Sequence, residues 1–205
     1  MFCASYQQYR MKGLLVLPVV LILLLGSPAA ANLSKGSEAV ESRNDATSLK
    51  EWGTLAEQGD ADAQFNMGVV YLQGLGVTQD YQAAFNWFKK STEQKHAIAQ
   101  FSLGVMYLQG LGVTQDYKAA FNWFKKAAEQ GGSEAQAVLS SMYEEGIGIP
   151  QDYTRAHMWW NIAASLGNEA AVGNRDKVEK MMTPSQIEKA QGLAHECVAK
   201  NYKDC

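Results

Sequence analysis

Three groupings in this chain have residue types and spacings that could do chemistry. His195-Glu196-Cys197 offers an imidazole, a carboxylate and a thiol, the ingredients of a zinc site or of thiol catalysis. On a helix, residues i, i+1 and i+2 point to different faces, so these three cannot converge on one atom. The other histidines, His96 and His157, have no metal-ligand spacing with them or with each other; His96 reads as a turn residue and His157 as part of a helix. Gly74-Leu75-Gly76 is a fragment of a phosphate loop, but it follows a helical pattern and lacks the third glycine and the lysine. Cys197 and Cys205 could bridge or stay as thiols, and the compartment decides which. No catalytic residue, no metal ligand and no cofactor site is assigned.

The elements that would have to position such groups are set by a repeat. The segment YLQGLGVTQDY occurs at Tyr71–Tyr81 and again at Tyr107–Tyr117, displaced by 36 residues. Three blocks follow from that period: 61–96, 97–132 and 133–168. Blocks one and two agree at most positions and blocks two and three at fewer than half, so the first pair reads as a recent duplication. All three keep a frame: Ala63, Ala99 and Ala135; Tyr71, Tyr107 and Tyr143; two glycines one residue apart (Gly74 and Gly76 in block one); Asp80, Asp116 and Asp152, each followed by tyrosine; Ala84, Ala120 and Ala156; Trp87, Trp123 and Trp159. A fixed period of this length means a stack of supersecondary units that bury a continuous core between them.

Each block reads as helix, turn, helix. Phe65, Met67, Tyr71 and Leu72 have helical spacing, and the first glycine suits a left-handed helix stop. Asp80 then stands where the second helix needs an N-cap, and Lys89 and Lys90 come late in it, where cations suit the dipole. Gly68 and Gly104 sit mid-helix, which implies a tight helix–helix contact. Gly131 and Gly167 stop the second helix in blocks two and three; block one has Lys95 there, so a looser or differently shaped turn is expected.

The pattern A-x-A-x-x-x-[LM]-[GS]-x-x-Y-x-x-G-x-G-[VI]-x-x-D-Y-x-x-A-x-x-W closely resembles the Sel1-like repeat family, relatives of the tetratricopeptide repeat with a longer inter-helix turn. The likeness covers about Ala61–Asn168. It implies an all-α, right-handed alpha/alpha superhelical solenoid that engages a protein or peptide partner. By the tetratricopeptide relation, Asp62, Phe65, Val69, Leu72 and Gln73 would turn to the concave side in block one. Ile98, Phe101, Val105, Leu108 and Gln109 would do so in block two, and Glu134, Ala137, Ser141, Glu144 and Glu145 in block three. The groove would be apolar at one end and acidic at the other, a cradle for an amphipathic helix or a segment with a basic end. Equally, Phe65, Leu72, Phe101 and Leu108 fit an interhelix core. Some secreted relatives are associated with penicillin recognition, but neither an S-x-x-K nor a K-T-G motif is present here.

At the ends of the array, 47–60 reads as the second helix of a truncated block. Beyond Asn168, Glu169–Met182 forms a further first helix. Thr183-Pro184-Ser185-Gln186 is a capping box that opens a last helix with Ile187, Ala190, Leu193, Ala194 and Cys197 on one face. Upstream, the apolar run Leu14–Leu25 follows Arg10 and Lys12 and precedes Ala29-Ala30-Ala31, so 1–31 reads as a signal peptide cut near Ala31. The run falls short of the roughly 20 residues a spanning helix needs, so no stable membrane insertion is expected after cleavage. Met11 is an alternative start, and 32–46 reads as a flexible polar leader. The sequence carries a net charge of −3, cleavage removes two cations and no acid, and no basic cluster appears, which argues against nucleic acid or anionic lipid. Cleavage also removes Cys3. Cys197 and Cys205 then remain in an exported chain, where a disulfide is expected, contributing on the order of 2–3 kcal/mol.

These features together predict a periplasmic or secreted, monomeric, non-catalytic repeat protein with a protein partner in a bacterial envelope. Two other readings stand beside it: a cell-wall or β-lactam hydrolase, and a secreted factor that binds a host protein.

Overall fold

Helix caps recur with the sequence period. In the computed structural model, which describes residues 45–205, nine helices and no strand are found among the described residues. They are α1 (Asp45–Glu57), α2 (Ala61–Gln73), α3 (Tyr81–Glu93), α4 (Ala97–Gln109), α5 (Tyr117–Ala128), α6 (Ser133–Glu145), α7 (Tyr153–Ser165), α8 (Glu169–Glu179) and α9 (Pro184–Ala199). The expectations for the signal peptide, the Met11 start, Cys3 and the leader up to residue 44 lie outside the described residues. Helix α1 begins at Asp45, two residues before the expected start, because a hydrophobic pattern marks a helix end only to within a residue or two.

Helices α2 and α3, α4 and α5, and α6 and α7 pack as hairpins. Each hairpin meets the next through its neighbouring helices, which makes an all-α solenoid. Gly74, Gly110 and Gly146 close the first helices with φ of 73°, 71° and 71°. The carboxylates of Asp80, Asp116 and Asp152 accept the N–H of Ala83, Ala119 and Arg155 at 2.9, 2.9 and 3.0 Å. The turn between them is also closed by the side-chain amides of Gln79, Gln115 and Gln151, which donate to the carbonyls of Leu72, Leu108 and Glu144.

The second glycine of each turn has a reason that no local pattern shows. A Cβ on Gly112 would stand 2.3 Å from the Tyr81 carbonyl oxygen, and one on Gly148 would stand 2.5 Å from that of Tyr117. The turns of the second and third repeats therefore lie directly on the start of the previous repeat's second helix. The mid-helix glycines mark tight packing within a repeat: a Cβ on Gly68 would meet Phe88 at 2.5 Å, and one on Gly104 would meet Phe124 at 2.7 Å. Between repeats, Phe85 meets Tyr107 edge to face at 5.5 Å, and Phe121 meets Tyr143 in the same way at 5.3 Å. Buried glutamines stitch the same joints. Gln64 donates to the Ala56 carbonyl and Gln136 to that of Ala128, so backbone acceptors at helix ends are satisfied from the next helix.

The turn after α3 corrects the expectation of a looser shape. Lys95 adopts φ 62°, the left-handed position filled elsewhere by Gly59, Gly131 and Gly167. Its N–H bonds the Thr92 carbonyl at 2.9 Å, just as that of Gly131 bonds Ala128 at 2.9 Å. The same helix-closing bonds hold the geometry, and lysine accepts it.

At the far end, Thr183 and Gln186 form the capping box, and Ala190, Ala194 and Cys197 are buried. Helix α8 stacks on α7 as a further first helix would. Helix α9 then packs on α7 as well, so the final helix folds back over the array. The sulfurs of Cys197 and Cys205 lie 2.08 Å apart, at bonding distance.

Candidate functional site

The surface with variable chemistry is built on α2, α4 and α6, whose caps and hairpin contacts hold them in the same setting three times over. The structure divides the residues expected there into two groups. Phe65 and Val69 (4 % and 5 % exposed) and Phe101 and Val105 (6 % and 8 %) are buried among the second helices and the next repeat. They pack in the interhelix core, as the core reading expected of Phe65 and Phe101, and Val69 and Val105 join them there. Leu108 and Ala137 are buried as well, and Leu72 is partly so. The reason is geometric: phenylalanines from both helices of a hairpin meet there, Phe65 with Phe88 and Phe101 with Phe124.

The second group reaches solvent. Asp62, Gln73 and Glu145 are exposed, and Ile98, Gln109, Glu134, Ser141 and Glu144 are partly exposed. The copies differ at both positions of the period: Asp62, Ile98 and Glu134 occupy one, where only the second is uncharged, and Gln73, Gln109 and Glu145 the other, where only the third is charged. Asp62 also ties α2 to the start of α4 through His96, whose Nε2 lies 3.0 Å from its Oδ1. Nδ1 of His96 accepts the Ala99 N–H at 3.1 Å, so this histidine is the N-cap of α4 and carries its proton on Nε2. The imidazole also stacks on Phe65 at 5.0 Å.

The third repeat supplies concentrated charge. Glu144 and Glu145 end α6, where the helix dipole is already negative, and no lysine or arginine pairs with either among the described residues. Although Glu145 as a whole is exposed, partial desolvation of its carboxyl, and then the neighbouring Glu144 carboxylate, raises it above its ordinary value. Glu144 accepts a long 3.4 Å bond from the Trp160 indole. Glu134 is held by the Ser133 hydroxyl at 3.1 Å.

The candidate chemical groups are scattered. His157 is buried on α7, with Nε2 2.7 Å from Glu179 of α8. His195 and Glu196 are exposed on α9, while Cys197 faces inward. Among the described residues, no three His, Cys, Asp or Glu side chains converge as metal ligands would. None of the described helices is long and apolar enough to cross a membrane. Sequence reasoning missed the capping role of His96 and the turn glutamines. The repetition of glutamine before each capping aspartate was the available signal.

A family model described as the Sel1 repeat matches residues 61–96, 97–132 and 133–168. Among solved structures, the chain is similar to a protective antigen present in uropathogenic Escherichia coli strains that displays an SLR fold. That match has 35 % identity and a TM-score of 0.71, and it covers 78 % of this chain but only 34 % of the antigen, so this chain spans about a third of that protein. It is also similar to a Sel1 repeat protein from Oxalobacter formigenes, at 36 % identity and a TM-score of 0.59, over 63 % of this chain and 98 % of that one. No curated protein matches.

Proposed function

The chain belongs to the Sel1 repeat family, whose members typically mediate protein–protein interaction on a generally non-catalytic scaffold, and from that premise we propose that it is an exported, monomeric adaptor which holds a basic or amphipathic segment of an envelope protein. The observation that carries this reading is the solvent-facing series on α2, α4 and α6, which differs between copies, most of all in the third, while the capping aspartates Asp80, Asp116 and Asp152 and the paired turn glycines are kept. It ends in the unpaired Glu144–Glu145 carboxylates, which suit a cation supplied by a partner. Export rests on the Leu14–Leu25 run and the Ala29-Ala30-Ala31 site, and a disulfide between Cys197 and Cys205 fits that compartment.

Crosslinking capture in the native envelope tests the proposal. The double change Glu134→Lys and Glu145→Lys is expected to abolish capture and leave the helical circular dichroism intact. Undiminished capture by that folded variant, or turnover of nitrocefin or peptidoglycan by the purified chain, would overturn it.

A further inference from the structure

The segment after α9 holds one residue in a conformation it does not favour. Tyr202 (φ 66°) occupies the left-handed region, which disfavours a bulky side chain, between Asn201 (φ 52°) and Asp204 (φ 57°), two residues of types that tolerate it. Two attachments keep them there. Cys205 lies at bonding distance from Cys197, which is 2 % exposed on the face of α9 that packs on α7. Tyr202 lies over the turn between α5 and α6, its ring 3.4 Å from where a Cβ of Gly131 would stand. Gly131 belongs to the end of the second repeat, so the segment reaches from the cap across the third repeat to the joint behind it. On the way, Asp204 and Cys205 join Arg155, Met158 and Lys189 in lining a cleft of about 450 Å³ between α7 and α9.

We propose that residues 200–205 are a redox-released latch: the Cys197–Cys205 bridge holds Tyr202 on the joint between repeats two and three and keeps the cleft walled, and reduction frees both. The reductant is a dithiol. Its thiolate attacks Sγ of Cys205, the more exposed sulfur of the pair. The Cys197–Cys205 bond breaks, and Cys197 leaves as a thiolate that takes a proton from solvent. The second thiol of the reductant then attacks the mixed disulfide and releases Cys205 as a thiol, and the dithiol is left as its own disulfide; two electrons have passed. Release is confined to the segment. Helix α9 keeps its buried Ala190 and Ala194 and its Thr183–Gln186 capping box, none of which depends on the bridge. Once the bridge is open, the left-handed residues keep the Tyr202 contact, the 2.8 Å bond from its N–H to the Cys197 carbonyl and the 3.0 Å bond from the Asn201 N–H to the Val198 carbonyl, while Asp204 and Cys205 lose their covalent tie.

Hydrogen exchange read by mass spectrometry tests this on the full chain purified from an oxidising compartment, with and without dithiothreitol. Reduction is expected to speed exchange about tenfold or more in residues 200–205 and in the 129–133 turn, and to leave the interior of α9 and the circular dichroism unchanged. Cys205→Ser should show the reduced pattern without reductant. Tyr202→Ala should deprotect the 129–133 turn while the bridge stays intact. Unchanged exchange in 200–205 on reduction would overturn the latch. So would a Cys205→Ser chain that keeps the oxidised pattern, loss of protection throughout the array, or alkylation of both cysteines before any reductant is added. These readouts do not depend on the partner or on the surface of α2, α4 and α6.

Discussion

Lys95 shows how a helix-closing turn can hold a residue that does not favour its conformation. The other second-helix turns place glycine at this left-handed position, and Lys95 sits there at φ 62° with the same backbone bonds. A side chain in that region costs roughly 1 kcal/mol, offset in part by the greater entropy glycine loses on folding. Lys95→Gly is therefore expected to stabilise the chain by about 0.5–1 kcal/mol, read as a higher urea midpoint with an unchanged slope. His96 carries a related lesson. Its position in the period is an N-cap held by Asp60 and Asn168 in other repeats, but histidine is not a usual cap and reads from sequence as a turn residue. Only the hydrogen bonds to Ala99 and Asp62 reveal a neutral imidazole doing a carboxylate's work. The aspartate caps and left-handed glycines, by contrast, were legible directly, because their reasons lie within four residues of chain.

Helices are the scale at which the candidate face was half legible. Periodicity marks a stripe on α2 and α4, but it does not say how wide a sector the partner helices cover. Phe88 and Phe124 fit against Gly68 and Gly104 and draw the hairpins close enough to bury Val69 and Val105. The glycines make that closeness possible, which sets up a contrast between two helical glycines. Gly104→Ala would drive a methyl into Phe124 and is expected to cost about 1–3 kcal/mol, whereas Gly173→Ala on α8 meets nothing within 4 Å and should be neutral or stabilise by up to about 1 kcal/mol. Chemical denaturation of the two variants checks both signs. If Gly104→Ala proved neutral, close hairpin approach would not be what that glycine is for.

For the whole molecule, the cap matters most, because an open solenoid end exposes core. Ala156, Trp160 and Ala163 of α7 are buried against Ala171 and Val178 of α8, and Ala194 and Cys197 of α9 join the cluster around Met158 and Trp159. Truncation after Asn168 uncovers two tryptophans and is expected to cost on the order of 5 kcal/mol, seen as a much lower melting temperature and as aggregation in light scattering. By itself the sequence determined the period, the helix–turn–helix unit, the caps and the all-α solenoid, since each depends on contacts within one repeat or on the copying of that repeat. Only the tertiary structure decided which apolar residues vanish into the core, what Gly112 and Gly148 approach, and that α9 turns back onto α7. Those outcomes depend on distances between segments far apart in the chain, and no local spacing encodes them.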